Sequence, residues 1–361
     1  MGCISNSGGK ILLKCKHCGL PATKPNVKFV DGICSACLNY FEREQIDWKE
    51  RQKSLERLLD QHHRTDGNYD VVIPVSGGKD SHWLVKKMQE FDMHPLLVTV
   101  NDSFTHTQAG LANLRNLQTM YDSYVYTINH NTFIKATRHA FEQLGYSLKL
   151  VEYAIYTIPY LVAWTMKIPL VVFGENALYE YGGTDFEQPQ ANSQINGMID
   201  QMEHEYAWWM MGDVSIEEIN HIKPTVYYLP MAIYMSYFYP WSSVEHLKVA
   251  KTMGFKTLSD TGEWDREGCM EDFEQIDSYG YIAHLWLRYP RLGFQRTTDI
   301  ATRRVREGLL SYDEAQKIIA EKDHRLDSKA LKDFCEVIGY TKEKFMDIVT
   351  NASWNKYYKE K

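Results

Sequence analysis

From Tyr69 to Phe173, short apolar runs alternate with stretches whose apolar residues recur every three or four positions. The runs Val71-Val72-Ile73-Pro74-Val75, Leu96-Leu97-Val98-Thr99-Val100 and Leu170-Val171-Val172-Phe173 are nearly unbroken. This is the pattern of parallel strands buried on both faces. Tyr124-Val125-Tyr126-Thr127-Ile128 reads as a further strand. Between the runs, Leu84, Met88 and Phe91 share one helical face, and Leu111, Leu114, Leu117 and Tyr121 share another. Two more helices are expected over about 132–144 and around 158–166. Strands alternating with helices at this spacing predict βαβ units, hence an α/β fold with a parallel sheet flanked by helices.

The same patterning divides the chain. Residues 1–10 read as a flexible tail and 11–45 as a cysteine-bearing module. Residues 46–66 form a linking helix, with Leu55, Leu58 and Leu59 at helical spacing. Residues 67–243 are the α/β domain, carrying an insertion at 175–229 rich in Gln, Asn, Tyr, Trp and Met. Residues 244–361 are mostly helical.

Ser76-Gly77-Gly78-Lys79-Asp80-Ser81 stands directly between the first predicted strand and its helix. Two glycines let the backbone turn sharply and approach an anion, and the following helix N-terminus aims free N–H groups at it. Ser76 and Ser81 add hydroxyls and Lys79 a cation. Bare phosphate would repel Asp80, so its presence implies a bridging Mg²⁺. The spacing differs from the Walker pattern, whose two glycines are separated by four residues. Ser7-Gly8-Gly9-Lys10 repeats the tetrapeptide without a preceding strand, and we assign it no role.

Cys15-x₂-Cys18 and Cys34-x₂-Cys37, separated by 15 residues, have the spacing of a closed four-cysteine zinc site. An iron–sulfur cluster and a pair of redox couples are the rival readings of the same spacing. Cys269 and Cys335 are isolated and expected to be packing residues. A net charge of −7 argues against a broad nucleic-acid footprint. No apolar run approaches the ~18 residues of a membrane span, and no apolar signal core opens the chain, so a cytoplasmic protein is expected.

The loop resembles the pyrophosphate loop (PP-loop) of the N-type ATP pyrophosphatases, a superfamily with an adenine nucleotide α-hydrolase-like fold. Its members, which include GMP synthetase, NAD synthetase and tRNA-modifying enzymes, split ATP between the α- and β-phosphates. Three further blocks sharpen the resemblance. They are Cys34-Ser35-Ala36-Cys37-Leu38-Asn39-Tyr40, Gly174-Glu175-Asn176-Ala177-Leu178-Tyr179-Glu180-Tyr181-Gly182-Gly183, and Gly293-Phe294-Gln295-Arg296-Thr297-Thr298-Asp299 with Arg303 and Arg306-Glu307-Gly308. Together they resemble the N-acetyl sugar amidotransferase family of surface-polysaccharide and flagellar-sugar biosynthesis.

That resemblance implies conversion of an acetamido group, on a sugar nucleotide or a nonulosonic acid, to an acetamidino group, with ATP consumed and AMP and pyrophosphate released. The cofactors implied are ATP, Mg²⁺ and a structural Zn²⁺. Ser76 to Ser81 would hold phosphates and metal, with Lys79 and Asp80 catalytic. Val100 and Gly174, at carboxyl ends of strands, would meet the nucleotide. Glu175 would bind Mg²⁺ or orient ammonia, its alternative being an ordinary loop acid. Glu180 and Tyr181 would contact the sugar. Arg296, Asp299 and Arg303 would hold sugar hydroxyls, a carboxylate or a phosphate, the alternative being a solvated helical face. With no glutaminase signature in the chain, a separate glutaminase pair is the expected ammonia source. The rivals are a tRNA-thiolating enzyme, which would need active-site cysteines, and a nucleotide-binding module without catalysis.

Overall fold

The computed structural model describes residues 13–175, 180, 182, 212–223 and 230–358. The expected tail, Tyr181 and most of the insertion lie outside them.

The cysteine module opens with a short antiparallel hairpin, β1 (Phe29–Val30) and β2 (Ile33–Cys34), and a helix α1 (Ser35–Glu42). The linking helix α2 (Trp48–His62) follows, its N-terminus capped by the Asp47 carboxylate accepting from the Glu50 N–H. A five-stranded, wholly parallel sheet then forms from β3 (Val71–Pro74), β4 (Pro95–Asn101), β5 (Ser123–Thr127), β6 (Leu170–Phe173) and β7 (Met231–Tyr234). Its spatial order is β5-β4-β3-β6-β7. The four strands read from the sequence are present. The fifth, β7, continues the parallel ladder where the sequence reading had named no strand.

Numbering only helices of seven or more residues, the crossovers are α3 (Lys79–Glu90), α4 (Gln108–Gln118), α5 (His130–Leu144) and α6 (Lys149–Thr165). After β7 come α7 (Ser243–Thr252), α8 (Gly280–Trp286), α9 (Arg296–Arg306), α10 (Tyr312–Lys322), α11 (Ser328–Ile338) and α12 (Lys342–Asn351).

Strand alternation sends successive side chains to opposite faces, and each face has its own core. Val71, Ile73, Leu97, Leu170 and Val172 pack with Leu55 and Leu59 of α2 and Leu84 and Met88 of α3. Val72, Leu96, Val98, Val171 and Phe173 pack on the other side, in a cluster that also takes in α5, α6, α8, α11 and α12. There Phe141 stacks on Phe345 at 4.7 Å, a pairing worth about 1 kcal/mol beyond the area buried. The helical C-terminal region therefore shares a core with the sheet.

The chain winds outward from β3 through β4 to β5, then returns to the other side of β3 to lay down β6 and β7. The strand order thus reverses between β3 and β6. At such a switch point the loops beyond the carboxyl ends diverge and leave a crevice. The loop after β3 carries Ser76 to Ser81, and the loop after β6 carries Gly174 and Glu175.

Candidate active site

The crevice holds two cavities of about 400 and 360 Å³ that share Ser76, Asp80, Ser81, Glu175, Asp277 and Tyr281 among their walls. They form one continuous cleft with two chemically different halves.

The first half lies over the carboxyl end of β4 and is walled by Val98, Val100, Leu111, Leu114, Pro159 and Gly174. The glycine loop borders it through Ser76, Asp80 and Ser81. Gly77 has φ of +90°, and a Cβ there would stand 2.8 Å from the main-chain nitrogen of Leu114. Only glycine allows α4 to pass the loop so closely. Gly78 then caps α3 in extended conformation, so the helix begins at Lys79. The Ser81 hydroxyl accepts from the Ser76 N–H at 3.1 Å and closes the turn. Val100 and Gly174 both wall this half, as expected from their strand ends.

The second half is charged. Lys79, Asp80, Glu175, Glu274, Asp277, Arg288, Arg296 and Arg303 all reach it. Its hub is Glu274, buried at 4% exposure in the irregular stretch before α8. One Glu274 carboxylate oxygen accepts from Lys79 Nζ at 2.9 Å and from the Ser243 hydroxyl at 2.8 Å, with Arg303 at 3.5 Å. The other pairs with Arg296. Burial alone would push this carboxyl up, but Lys79, Arg296 and Arg303 outweigh it and hold it well below the usual carboxylate range. Asp80 is bracketed in the same way. Its Oδ2 accepts from Lys79 at 2.9 Å, and its Oδ1 lies 2.6 Å from Nδ1 of His246. His246 is itself fixed between Trp83, stacked at 4.4 Å, and Trp241, edge-on at 4.3 Å.

Two other acids behave differently. Burial, with Asp80 nearby, pushes the Glu175 carboxyl up to about 7. Burial and then the Asp102 carboxylate push Asp277 up to about 7 as well. The cleft therefore contains ionised carboxylates beside acids poised near neutrality, an arrangement suited to proton transfer. Asp80 and Glu175 together offer hard oxygen donors. Among the described residues the four cysteines alone form a metal-ligating group of three or more side chains, so a cleft Mg²⁺ would rest on Asp80 and on ligand phosphates, with Glu175 as the alternative donor if it is not the proton acceptor.

Two expected sugar contacts are placed elsewhere. Glu180 is buried with its carboxylate paired to Arg43 of the cysteine module, outside the lining of either cavity. Asp299 is outside the lining of both cavities, at 3% exposure, between Lys24 of the same module at 2.5 Å and Arg288 at 2.6 Å. It acts on the cleft by holding Arg288. The alternative of a solvated helical face is also overturned for α9, since Arg296, Arg303, Arg304 and Arg306 are all largely buried. Glu274, His246, Asp277, Ser243 and Arg288 were missed in the sequence. The available signal was the cluster of acids at 271, 272, 274 and 277.

The four module cysteines are wholly buried, with Sγ–Sγ distances of 3.8, 3.7 and 3.5 Å for Cys15–Cys37, Cys18–Cys34 and Cys34–Cys37. A tetrahedral ion with bonds of about 2.3 Å to sulfur requires edges of about 3.8 Å. The cluster fits such an ion. The guanidinium of Arg306 approaches Cys18 Sγ at 3.5 Å, offsetting the excess negative charge of four thiolates.

Residues 267–361 match the family model described as "LPS biosynthesis protein WbpG-like, C-terminal domain". No curated protein matches the chain by sequence. Among solved structures, the NMN synthetase of Francisella tularensis is similar at 13% identity and a TM-score of 0.36, over 81% of this chain and 94% of that one. A predicted subunit of the tRNA methyltransferase of Methanocaldococcus jannaschii is similar at 17% identity and a TM-score of 0.23, over 42% and 72%. At these scores neither structural likeness bears on function. The segment that brings Glu274, Arg288, Arg296 and Arg303 to the cleft is thus the one that matches the WbpG-like C-terminal domain, in line with the resemblance read from the sequence.

Proposed function

We propose that this chain is an ATP-dependent amidotransferase that turns the acetamido group of an activated sugar into an acetamidino group. The observation that carries this reading is the single cleft in which an apolar half over β4 meets a cation-rich half across Lys79 and Asp80. The first suits an adenosine, the second an anionic sugar derivative, and the loop between them the reacting phosphates. The matched lipopolysaccharide-biosynthesis domain supports a sugar substrate.

The chemistry follows from the poor reactivity of an amide. The acetamido oxygen attacks the α-phosphorus of ATP, and the α–β phosphoanhydride bond breaks to release pyrophosphate. Ammonia then attacks the carbon of the adenylated imidate, the C–O bond breaks, AMP leaves, and loss of a proton gives the amidine. Lys79, at the N-terminus of α3, is placed to bear the charge that develops on the pyrophosphate. Mg²⁺, held by Asp80 together with the phosphates, would supply further charge neutralisation. Glu175 and Asp277, poised near neutrality, are suited to take the proton from the incoming nitrogen. The ammonia would come from a separate glutaminase pair. We assign the reaction to the cytoplasm, where ATP is available, and Zn²⁺ to the cysteine cluster.

Sulfur transfer to tRNA is the less favoured chemistry. Cys269 and Cys335 are buried, their thiols pushed up by desolvation, and neither lines the cleft. Among the described residues, no helix is long and apolar enough to cross a membrane.

The test is a mass-resolved reaction with ATP, Mg²⁺, ammonium and a panel of acetamido nucleotide sugars. AMP, pyrophosphate and a sugar whose carbonyl oxygen has become NH are expected together. AMP formation that depends on tRNA and leaves every sugar unchanged would overturn the proposal.

A further inference from the structure

Gly77 lets the loop after β3 pass close to α4, but two adjacent glycines leave the peptide plane between residues 78 and 79 weakly restrained. Gly78 is the N-cap of α3 and has no side chain with which to cap it. The orientation of that peptide matters. The N–H of Lys79 lies in the same trans plane as the Gly78 carbonyl and points the opposite way, so where the carbonyl turns, the N–H follows.

The restraint comes from His82, one turn into α3. Its main-chain N–H donates to the Gly78 carbonyl at 3.2 Å, and its ring Nδ1 lies 3.0 Å from the same oxygen. The ring is wholly buried, with Phe255 edge-on at 5.4 Å. Its other nitrogen, Nε2, lies 3.2 Å from Nδ2 of Asn116 on α4, and that Nδ2 also donates to the carbonyl of Met253, just after α7, at 2.6 Å. Both ends of this chain are main-chain carbonyls, which only accept. The protons are thereby fixed. One hydrogen of the Asn116 amide goes to Met253 and the other to Nε2, so Nε2 is bare and Nδ1 carries the ring proton to Gly78. Helix α7 reaches the loop a second time through His246, which pairs with Asp80. The residues on both sides of Lys79 are thus held from α7.

We propose that His82 is a positioning residue for the nucleotide. Held in its Nδ1–H form by Asn116, it locks the Gly78–Lys79 peptide with the carbonyl turned into the helix and the Lys79 N–H turned out of the helix end, toward the cleft that Gly78 and Lys79 wall. An orientation set in advance spares the ligand the cost of ordering a glycine peptide. The ligand served is the polyphosphate chain of a nucleoside triphosphate, so the inference rests on the reading of the cleft as an ATP site.

Two variants separate this role from packing. In His82→Asn the amide nitrogen takes the place of Nδ1 and can still donate to Gly78. In His82→Gln the amide takes the place of Nε2 and reaches Asn116 but not Gly78. Calorimetric titration of the full chain with α,β-methylene ATP is expected to show His82→Asn within about threefold of the native affinity and His82→Gln roughly tenfold weaker, the loss of one hydrogen bond. A packing role alone predicts the reverse, because glutamine fills the space of the ring better than asparagine. Equal losses, or a better-preserved His82→Gln, would overturn the proposal. A second measurement needs no variant. The nitrogen-15 resonances of His82, assigned through its contact with Phe255, are expected to show the Nδ1–H tautomer, the minor form of a free neutral imidazole. An Nε2–H ring overturns the proposal however the variants behave. If the native chain binds the analogue, His82→Gln loses it and no acetamido sugar is altered, the lock stands and the amidotransferase reading falls. A native chain that does not bind the analogue overturns both.

Discussion

The guanidinium of Arg306 lies 3.5 Å from Sγ of Cys18, while Arg303, one turn earlier on the same helix, lines the cleft. Helix α9 thus runs from the four-cysteine cluster to the charged half of the site. A second tie runs from Lys24 through Asp299 to Arg288. A third is the hydroxyl of Thr23, which donates to the carbonyl of Leu292 at 2.6 Å. The cysteine module braces the cation-bearing helix.

Metal removal is accordingly expected to reach the cleft. Because binding energy at a structural zinc site is folding energy, a chelator or Cys37→Ser should lower the melting temperature and raise amide exchange along α9. Arg306→Ala, which removes a hydrogen bond to a charged sulfur, should cost about 2 kcal/mol and speed metal loss to a chelator. Native exchange rates in α9 after the metal has gone would refute the brace.

Lys79→Ala should abolish pyrophosphate release, with kcat/KM falling at least about a hundredfold. It also strips the buried Glu274 of a cation, so a stability loss of about 3–5 kcal/mol is expected. Rate and melting temperature must be read together, and a folded variant that still releases pyrophosphate would remove the loop from the chemistry.

Gly77→Ala and Gly78→Ala should differ sharply. At position 77 the backbone is left-handed and the added carbon meets the Leu114 main chain, so a cost above the ~1–3 kcal/mol of strain alone is expected, with loss of ATP binding. At position 78 the added carbon meets only the Ser76 hydroxyl, at 3.3 Å, and a milder effect is expected. Titration with an ATP analogue and thermal melts check both; equal effects would contradict the described turn.

The raised Glu175 carboxyl has a definite sign. The folded protein holds its proton more tightly than the unfolded chain, so its contribution to stability is present at low pH and fades as pH rises through about 7. Its ionised form is the one able to accept a proton, so kcat/KM should rise through the same range. Glu175→Gln should flatten that limb and remove the pH-dependent loss of stability. Asp277→Asn is the control for the second acid with the same midpoint. A pH profile left intact by both substitutions would exclude these acids as proton acceptors.

The sequence by itself determined the parallel sheet, the strand–glycine–helix junction and the pairing of the four cysteines, because each depends on local order. An unbroken apolar run marks a strand buried on both faces, a strand–glycine–helix junction makes an anion site, and two Cys-x₂-Cys pairs can close on one ion. It also pointed to Arg296 and Arg303, through the block they belong to. Only the tertiary structure decided which charges meet. Glu274 sits in an irregular stretch, and its partners Lys79, Ser243, Arg296 and Arg303 come from three separate helices. Asp299 and Glu180 carried the right chemistry for sugar contacts. Helix rotation and chain path turned them instead to Arg288, Lys24 and Arg43, since a buried carboxylate must find a cation, and two of these three lie in the cysteine module. Pairings of this kind depend on the approach of elements far apart in the chain, which residue order alone does not encode in any local pattern.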